Sequence, residues 1–114
     1  MHRHARQTLL AEIGPMGQAA ISRRRVDVRL GGLAAEVAVR YLAGAGVAFL
    51  NVRDAHLAAL AGDVDRAVET AVDATLPLEP GVGYDLADPT ARDVACGARF
   101  ALGELKAALD AEAR

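Results

Sequence analysis

Two short β-prone runs enclose one helical repeat within residues 25–54 of the chain. Residues 26–28 read V-D-V and residues 47–52 read V-A-F-L-N-V. Between them, apolar residues recur at helical spacing over residues 33–42, and the glycines in residues 44–46 end that pattern. A strand, a helix and a strand joined by short turns form a βαβ unit with parallel strands. The pattern therefore predicts an α/β fold.

The rest of the chain is predicted to add helices and loops to this unit within one domain of residues 1–114. Residues 1–24 are expected to form a helical arm that is interrupted at Gly14-Pro15. Residues 55–87 are expected to be irregular, with a helical turn at their start and one helix at 64–75, where valines recur every four positions. An Asp-Pro pair opens a long closing helix over residues 88–112.

Composition limits the class of protein. A domain of 114 residues buries roughly two-thirds of the surface of its unfolded chain. Hydrophobic residues make up 53% and aromatic residues only 4%, which favours closely packed helices on a small sheet. The net charge of −2 gives no global field for nucleic acid or anionic lipid, and no run of apolar residues is long enough to span a membrane. A single cysteine and no signal-like apolar stretch predict a cytoplasmic protein.

Four segments carry a resemblance to a known family. They are residues 6–18 (R-Q-T-L-L-A-E-I-G-P-M-G-Q), residues 25–28 (R-V-D-V), residues 41–47 (Y-L-A-G-A-G-V) and residues 95–106 (A-C-G-A-R-F-A-L-G-E-L-K). They resemble the opening, the first strand, the first helix end and the closing helix of the ThiF/MoeB/HesA family, the bacterial relatives of ubiquitin-activating enzymes. The resemblance implies a truncated Rossmann-like fold. It also implies ATP and Mg²⁺ as cofactors and a ubiquitin-like sulfur-carrier protein as the partner.

The family's nucleotide-binding residues are only partly present. A gap-free alignment places its G-x-G-x-x-G turn on Leu30, Gly32 and Ala35, so only the middle glycine remains. Such glycines let phosphates approach backbone N–H groups at a helix N-terminus. The alternative is a tight strand-to-helix turn that binds nothing. Asp54 falls where the family places an acid on the ribose, although it equally fits a cap for the next helix.

Other catalytic positions have no counterpart. The family's S-N-L-x-R-Q segment is replaced by L-A-A-L-A-G at residues 57–62, and its later catalytic lysine and Mg²⁺-binding aspartate are missing. Arg6 matches the family's arginine finger, but a surface or dimer-contact arginine is the alternative. His2 and His4 lack a third ligand, so no metal site is predicted.

Three hypotheses follow from these residues. The first is a degenerate, non-catalytic member that dimerises or binds a carrier protein or an active paralogue. The second is an active adenylyltransferase, and the third is a dinucleotide-binding oxidoreductase that rests only on the βαβ unit and Asp54. A homodimer is expected, because the closing helix carries an apolar stripe longer than two short strands can cover. That stripe contains Val94, Ala98, Leu102, Leu105 and Leu109.

Overall fold

A computed structural model of the protein describes residues 14–79 and 87–112. Within these residues the chain alternates between helices and short strands. The elements are α1 (residues 14–22), β1 (Arg25–Asp27), α2 (Gly32–Ala45), β2 (Phe49–Val52), α3 (Ala55–Val64), β3 (Glu69–Val72) and α4 (Pro89–Glu112). The predicted α/β class is confirmed, and so is the βαβ unit formed by β1, α2 and β2.

The three strands form one parallel sheet in the order β1-β2-β3. Side chains of the first two strands alternate in burial. Val26, Leu50 and Val52 are at most 2% exposed in the core, whereas Arg25 and Asp27 are exposed on the opposite face. Parallel sheets are usually covered by helices on both faces. Here the second face carries charged residues along β1, which is the composition of a surface that meets water.

Helix α2 has the boundaries that its glycines predict. Gly31 precedes the helix with an extended backbone, and Gly46 ends it with a φ of 91°, in the left-handed region that glycine adopts without strain. The N–H of Gly46 donates to the Ala43 carbonyl at 3.1 Å. Val39 and Leu42 on the inner face are completely buried. The glycine stop at residues 44–46 therefore fixes the length of the crossover.

Helix α4 begins where the Asp-Pro pair predicts, since the N–H of Thr90 donates to Asp88 Oδ1 at 3.0 Å. It packs along α2 and buries small and medium side chains. Ala101, Leu105 and Ala108 are at most 6% exposed. No helix in residues 14–79 and 87–112 combines the length and the apolar character needed to cross a bilayer.

The apolar stripe predicted on α4 coincides only partly with its packed face. Leu105 is buried against its own chain, whereas Val94 is 42% exposed and Leu102 is 59% exposed. The buried face of α4 is centred on two small residues, Gly97 and Ala101. The prediction from the leucine spacing therefore places the packed face about one residue too far along the helix.

The helix predicted over residues 64–75 is wrong. The turn predicted after residue 54 is a full helix, α3, that ends at Val64, and strand β3 follows it. Asp65 Oδ1 accepts a hydrogen bond from the N–H of Ala67 at 2.9 Å, which turns the chain towards the sheet. The described part of the sheet therefore has three strands where the sequence indicated two.

Candidate functional site

The glycine turn lies at the carboxyl end of β1. Gly32 is the first residue of α2 and has a φ of 58°, which side-chain-bearing residues rarely adopt. Leu30 is 5% exposed and Ala35 is completely buried, so both residues belong to the hydrophobic core. The turn thus has a glycine with a positive φ at the start of the helix, flanked by two residues that pack in the core.

Asp54 lies at the carboxyl end of the neighbouring strand, β2. Its Oδ1 accepts a hydrogen bond from the N–H of Leu57 at 2.9 Å, so it is the N-cap of α3. The parallel sheet thus brings Gly32 and Asp54 to the same edge. Leu57 and Leu60 of α3 are at most 9% exposed, so this segment packs in the core.

A histidine that the sequence analysis did not identify joins the two helices at this edge. Nε2 of His56, in the first turn of α3, lies 3.0 Å from Oε1 of Glu36 in α2. The hydrogen bond to Glu36 raises the pKa of His56 above its usual value, with smaller Coulombic contributions from Glu36 and Asp54, and burial and Arg40 oppose the shift. The residues are 20 positions apart, so only the placement of α3 beside α2 brings them together.

Residues 76–79, here called the strap, run past the glycine turn. Leu76 is 7% exposed. A Cβ placed on Gly31 would lie 3.5 Å from Cδ2 of Leu78, so the leucine rests on the turn itself. The N–H of Glu79 donates to the carbonyl of Arg29 at 2.7 Å, and their side chains form an ion pair. The strap therefore lies against one side of Gly31, while Gly31 and Gly32 themselves remain exposed.

The strap also brings the chain back to the side of β1 that faces away from β2. The N–H of Val28 donates to the carbonyl of Asn51, on the β2 side. Backbone groups of successive extended residues point to opposite edges, so the Arg29 carbonyl that receives Glu79 points away from β2. The chain leaves β1 towards β2 and β3, and then returns over their carboxyl ends to the other side of β1.

A small cavity of about 240 Å³ opens beside the strap, under α4. Ligand pockets usually measure about 300–1,000 Å³, so this one is below their range. The half-buried thiol of Cys96 reaches it. Next to it, Arg24 donates to Glu104 Oε2 at 2.8 Å, which joins the start of β1 to α4. The lining residues are Leu30, Glu79, Cys96, Arg99, Phe100, Gly103 and Glu104.

The remaining site predictions have no structural outcome. Arg6, His2 and His4 lie outside the described residues. Within residues 14–79 and 87–112, no group of three or more His, Cys, Asp or Glu side chains is arranged to hold a metal ion. No family model matches the sequence, and neither the curated proteins nor the solved structures contain a match to it.

Proposed function

We propose that the chain is a cytoplasmic, short, Rossmann-like protein of the ThiF/MoeB/HesA type that has lost adenylyl transfer and acts by binding other subunits. The observation that carries this proposal is the state of the glycine turn, which keeps its backbone shape while Leu30 and Ala35 beside it are buried in the core. The parallel βαβ unit, with the chain returning to Arg29 beside β1, is compatible with the Rossmann-like part of the proposal.

The chemistry that adenylyl transfer needs is lacking in the described residues around the turn. Phosphates must approach backbone N–H groups closely at the helix N-terminus, and the buried side chains of Leu30 and Ala35 stand where the family has glycines. Positive groups or a metal must also neutralise the charge that develops on the phosphate. Arg29 is the cation next to the turn, and it is paired with Glu79. The site therefore favours a protein that does not turn over ATP.

The test is a titration of the protein with ATP·Mg in a calorimeter, followed by ATP–pyrophosphate exchange with a ubiquitin-like carrier protein present. We expect little heat and no exchange. A dissociation constant in the low micromolar range, or exchange that depends on the carrier, would establish the alternative of an active adenylyltransferase. A variant with Gly at both Leu30 and Ala35 should remain inactive, because the lysine and the metal ligand are still missing.

We further propose that the partner subunit is a second copy of the chain, docked on the exposed flank of α4. Leu102 and Val94 lie on that flank, and Tyr41 of α2 is 41% exposed nearby, one turn after the Val37 that faces Gly97 of α4. A two-fold axis needs only one such patch, because the patch meets itself. A sulfur-carrier protein or an active paralogue is the other partner that the resemblance implies.

Two substitutions on α4 separate assembly from folding. Leu102→Asp places a charge on the exposed flank and should convert a dimer into a folded monomer, because an interface would bury that charge without a partner. Leu105→Glu is the matched control, because Leu105 is 6% exposed within its own subunit and its replacement should unfold the protein. Light scattering coupled to size exclusion measures both. A wild-type monomer at micromolar concentration contradicts the dimer.

A further inference from the structure

We propose that the outer edge of β3 is a docking site for an extended peptide with basic side chains, which joins the sheet as an added antiparallel strand. The site consists of the backbone of Thr70 and Val72 and the carboxylates of Glu69 and Asp73, and is called the β3 edge below. It is separate from the proposed dimer contact, because β3 and the exposed flank of α4 are different elements of the fold.

The backbone of β3 is paired on one side only in the described part of the sheet. The N–H of Asp73, directly after β3, donates to the Val52 carbonyl of β2 at 2.7 Å. Backbone groups of successive extended residues point to opposite sides, so the N–H and C=O groups of Thr70 and Val72 point away from β2. An edge strand with such open groups is the kind of surface to which extended peptides add.

The side chains of β3 divide between the two faces of the sheet, and all four strand residues are exposed. Thr70 and Val72 are in register with buried residues of β2 and lie on the helix side, where Val72 is 53% exposed. Glu69 and, by the alternation of side chains, Asp73 lie on the opposite face. An added strand would therefore meet β-branched side chains on one face and two carboxylates on the other.

The charge around the β3 edge indicates the chemistry of the partner. Residues 63–73 contain four acidic residues and one arginine, a net charge of −3, whereas the whole chain carries −2. Within residues 14–79 and 87–112, the Glu69 carboxylate takes part in no hydrogen bond or ion pair. Hydrogen bonds from the hydroxyl and the N–H of Thr75 lower the pKa of Asp73, so that carboxylate is ionised at neutral pH. Basic side chains opposite these two carboxylates would stabilise an added strand.

A second copy of β3 is a poorer occupant than a basic peptide. Antiparallel pairing of Thr70 with Val72 of a second copy would place each Glu69 directly opposite the Asp73 of the other chain. Like charges directly opposite one another destabilise a strand pair. The two carboxylates therefore oppose self-association through this edge and favour a partner of opposite charge.

The first test uses two capped peptides that differ only in charge, with the cores K-V-T-V-K and E-V-T-V-E. Each is titrated into ¹⁵N-labelled full-length protein at low ionic strength, where charge pairs are least screened. We expect the basic peptide to bind at least about tenfold more tightly. It should also slow amide exchange at Thr70 and Val72, while exchange at Asp73 stays slow throughout because that N–H is already bonded to β2.

Equal binding of the two peptides, or unchanged exchange at the two outward amides, would overturn the proposal. Absence of binding by either peptide would overturn it as well. The charges of the edge would then serve only to prevent edge-to-edge aggregation.

The second test determines whether backbone hydrogen bonds carry the binding. In the antiparallel register, the N–H groups of the two valines of K-V-T-V-K face Thr70 and Val72, whereas the N–H of the central threonine points away. N-Methylation of either valine should weaken binding at least about fivefold, because it removes one hydrogen bond. N-Methylation of the threonine is the matched control and should leave binding within about twofold. Equal effects at the two kinds of position would refute strand addition.

The third test reverses one charge of the edge. Glu69→Lys should leave the fold intact, because Glu69 is exposed and makes no ion pair within the described residues. The variant should bind K-V-T-V-E more tightly than E-V-T-V-K, although the two peptides have the same composition. Only the first places its glutamate opposite the new lysine and its lysine opposite Asp73 in antiparallel pairing. No preference, or the reverse one, would refute the assigned site and orientation.

These outcomes are distinguishable from failure of the proposed function. A wild-type monomer in light scattering would contradict the dimer on α4 and leave the peptide titrations unchanged. Tight ATP·Mg binding would contradict the non-catalytic assignment in the same way. Failure of the basic peptide to bind would contradict only the β3 edge.

Discussion

Replacing Gly97 by Ala is expected to destabilise the protein, although alanine is the better helix former. Gly97 lies where α4 crosses α2. A Cβ on this residue would lie 2.3 Å from the carbonyl oxygen of Ala34, 2.8 Å from Cβ of Val37 and 3.1 Å from the carbonyl carbon of Ala34. Two of these atoms are backbone, so no side-chain rotation relieves the contact. The two helices have to move apart by about 1 Å, since ordinary carbon–oxygen contacts exceed 3 Å.

The magnitude follows from two opposing effects. The added methyl group overpacks the crossing and loosens the contacts of Ala101 and Leu105 on the same face of α4. Together these effects lower the free energy of unfolding by roughly 2–4 kcal/mol. The exchange of glycine for alanine inside a helix contributes about 1 kcal/mol of stability. The free energy of unfolding should therefore fall by roughly 1–3 kcal/mol, which is a large part of the stability of a small domain.

Urea unfolding followed by circular dichroism measures this difference, and Gly103→Ala provides the matched control. Gly103 is in the same helix, but a Cβ there meets no atom within 4 Å. Its replacement should stabilise the protein by about 0.5–1 kcal/mol with an unchanged dependence on urea. If Gly97→Ala stabilises the protein as much as Gly103→Ala does, the close crossing of α2 and α4 is wrong.

Three further outcomes concern single side chains at the carboxyl edge. Asp54→Ala should cost about 1 kcal/mol in urea unfolding through loss of the α3 cap, whereas Asp54→Asn should stay close to the wild type. Glu36→Gln should lower the pKa of His56, which NMR measures. Because folding raises that pKa, the wild type should be more stable than the variant below about pH 6.5, and this difference in unfolding free energy should vanish as the pH rises through the folded pKa. Hydrogen bonds from the Thr75 hydroxyl and, less strongly, from its N–H lower the pKa of Asp73, so Thr75→Val should raise that pKa. The lowered pKa stabilises the folded protein above about pH 4, so the difference in unfolding free energy between wild type and variant should vanish as the pH falls through the folded pKa.

The βαβ unit could be predicted because its signals are local. Glycines bound α2, and valines mark both strands. Strand β3 could not be predicted in the same way, because all four of its residues are exposed and show no alternation of apolar and polar side chains. Val64, Val68 and Val72 mimic a helical repeat, yet Val68 is 9% exposed in the core while Val72 is 53% exposed at the sheet edge. Tertiary pairing with β2 decides the conformation there.

Only those residues of the candidate site whose place follows from their position after a strand could be predicted from the sequence. Gly32 and Asp54 lie in the segments that follow two neighbouring strands, so their common edge follows from parallel pairing. The pairing of His56 with Glu36 depends on how two helices pack, which no local pattern encodes. The strap lies in a proline- and glycine-containing stretch that predicts a loop but not its course. Leu76 was the one available signal, because a leucine in such a stretch favours a buried anchor.

The charged face of the sheet has an evolutionary consequence. Arg25 and Asp27 project from β1 into water, on the side where a doubly wound protein would carry further helices. A helix added there would bury both charges, at a cost of several kcal/mol for each one left unpaired. The charged residues would have to be replaced by apolar ones before a helix covered them. Without the helix, those apolar residues would form an exposed, aggregation-prone surface. Each single step towards covering this face is thus unfavourable, so the charges along β1 preserve it as a water-facing surface.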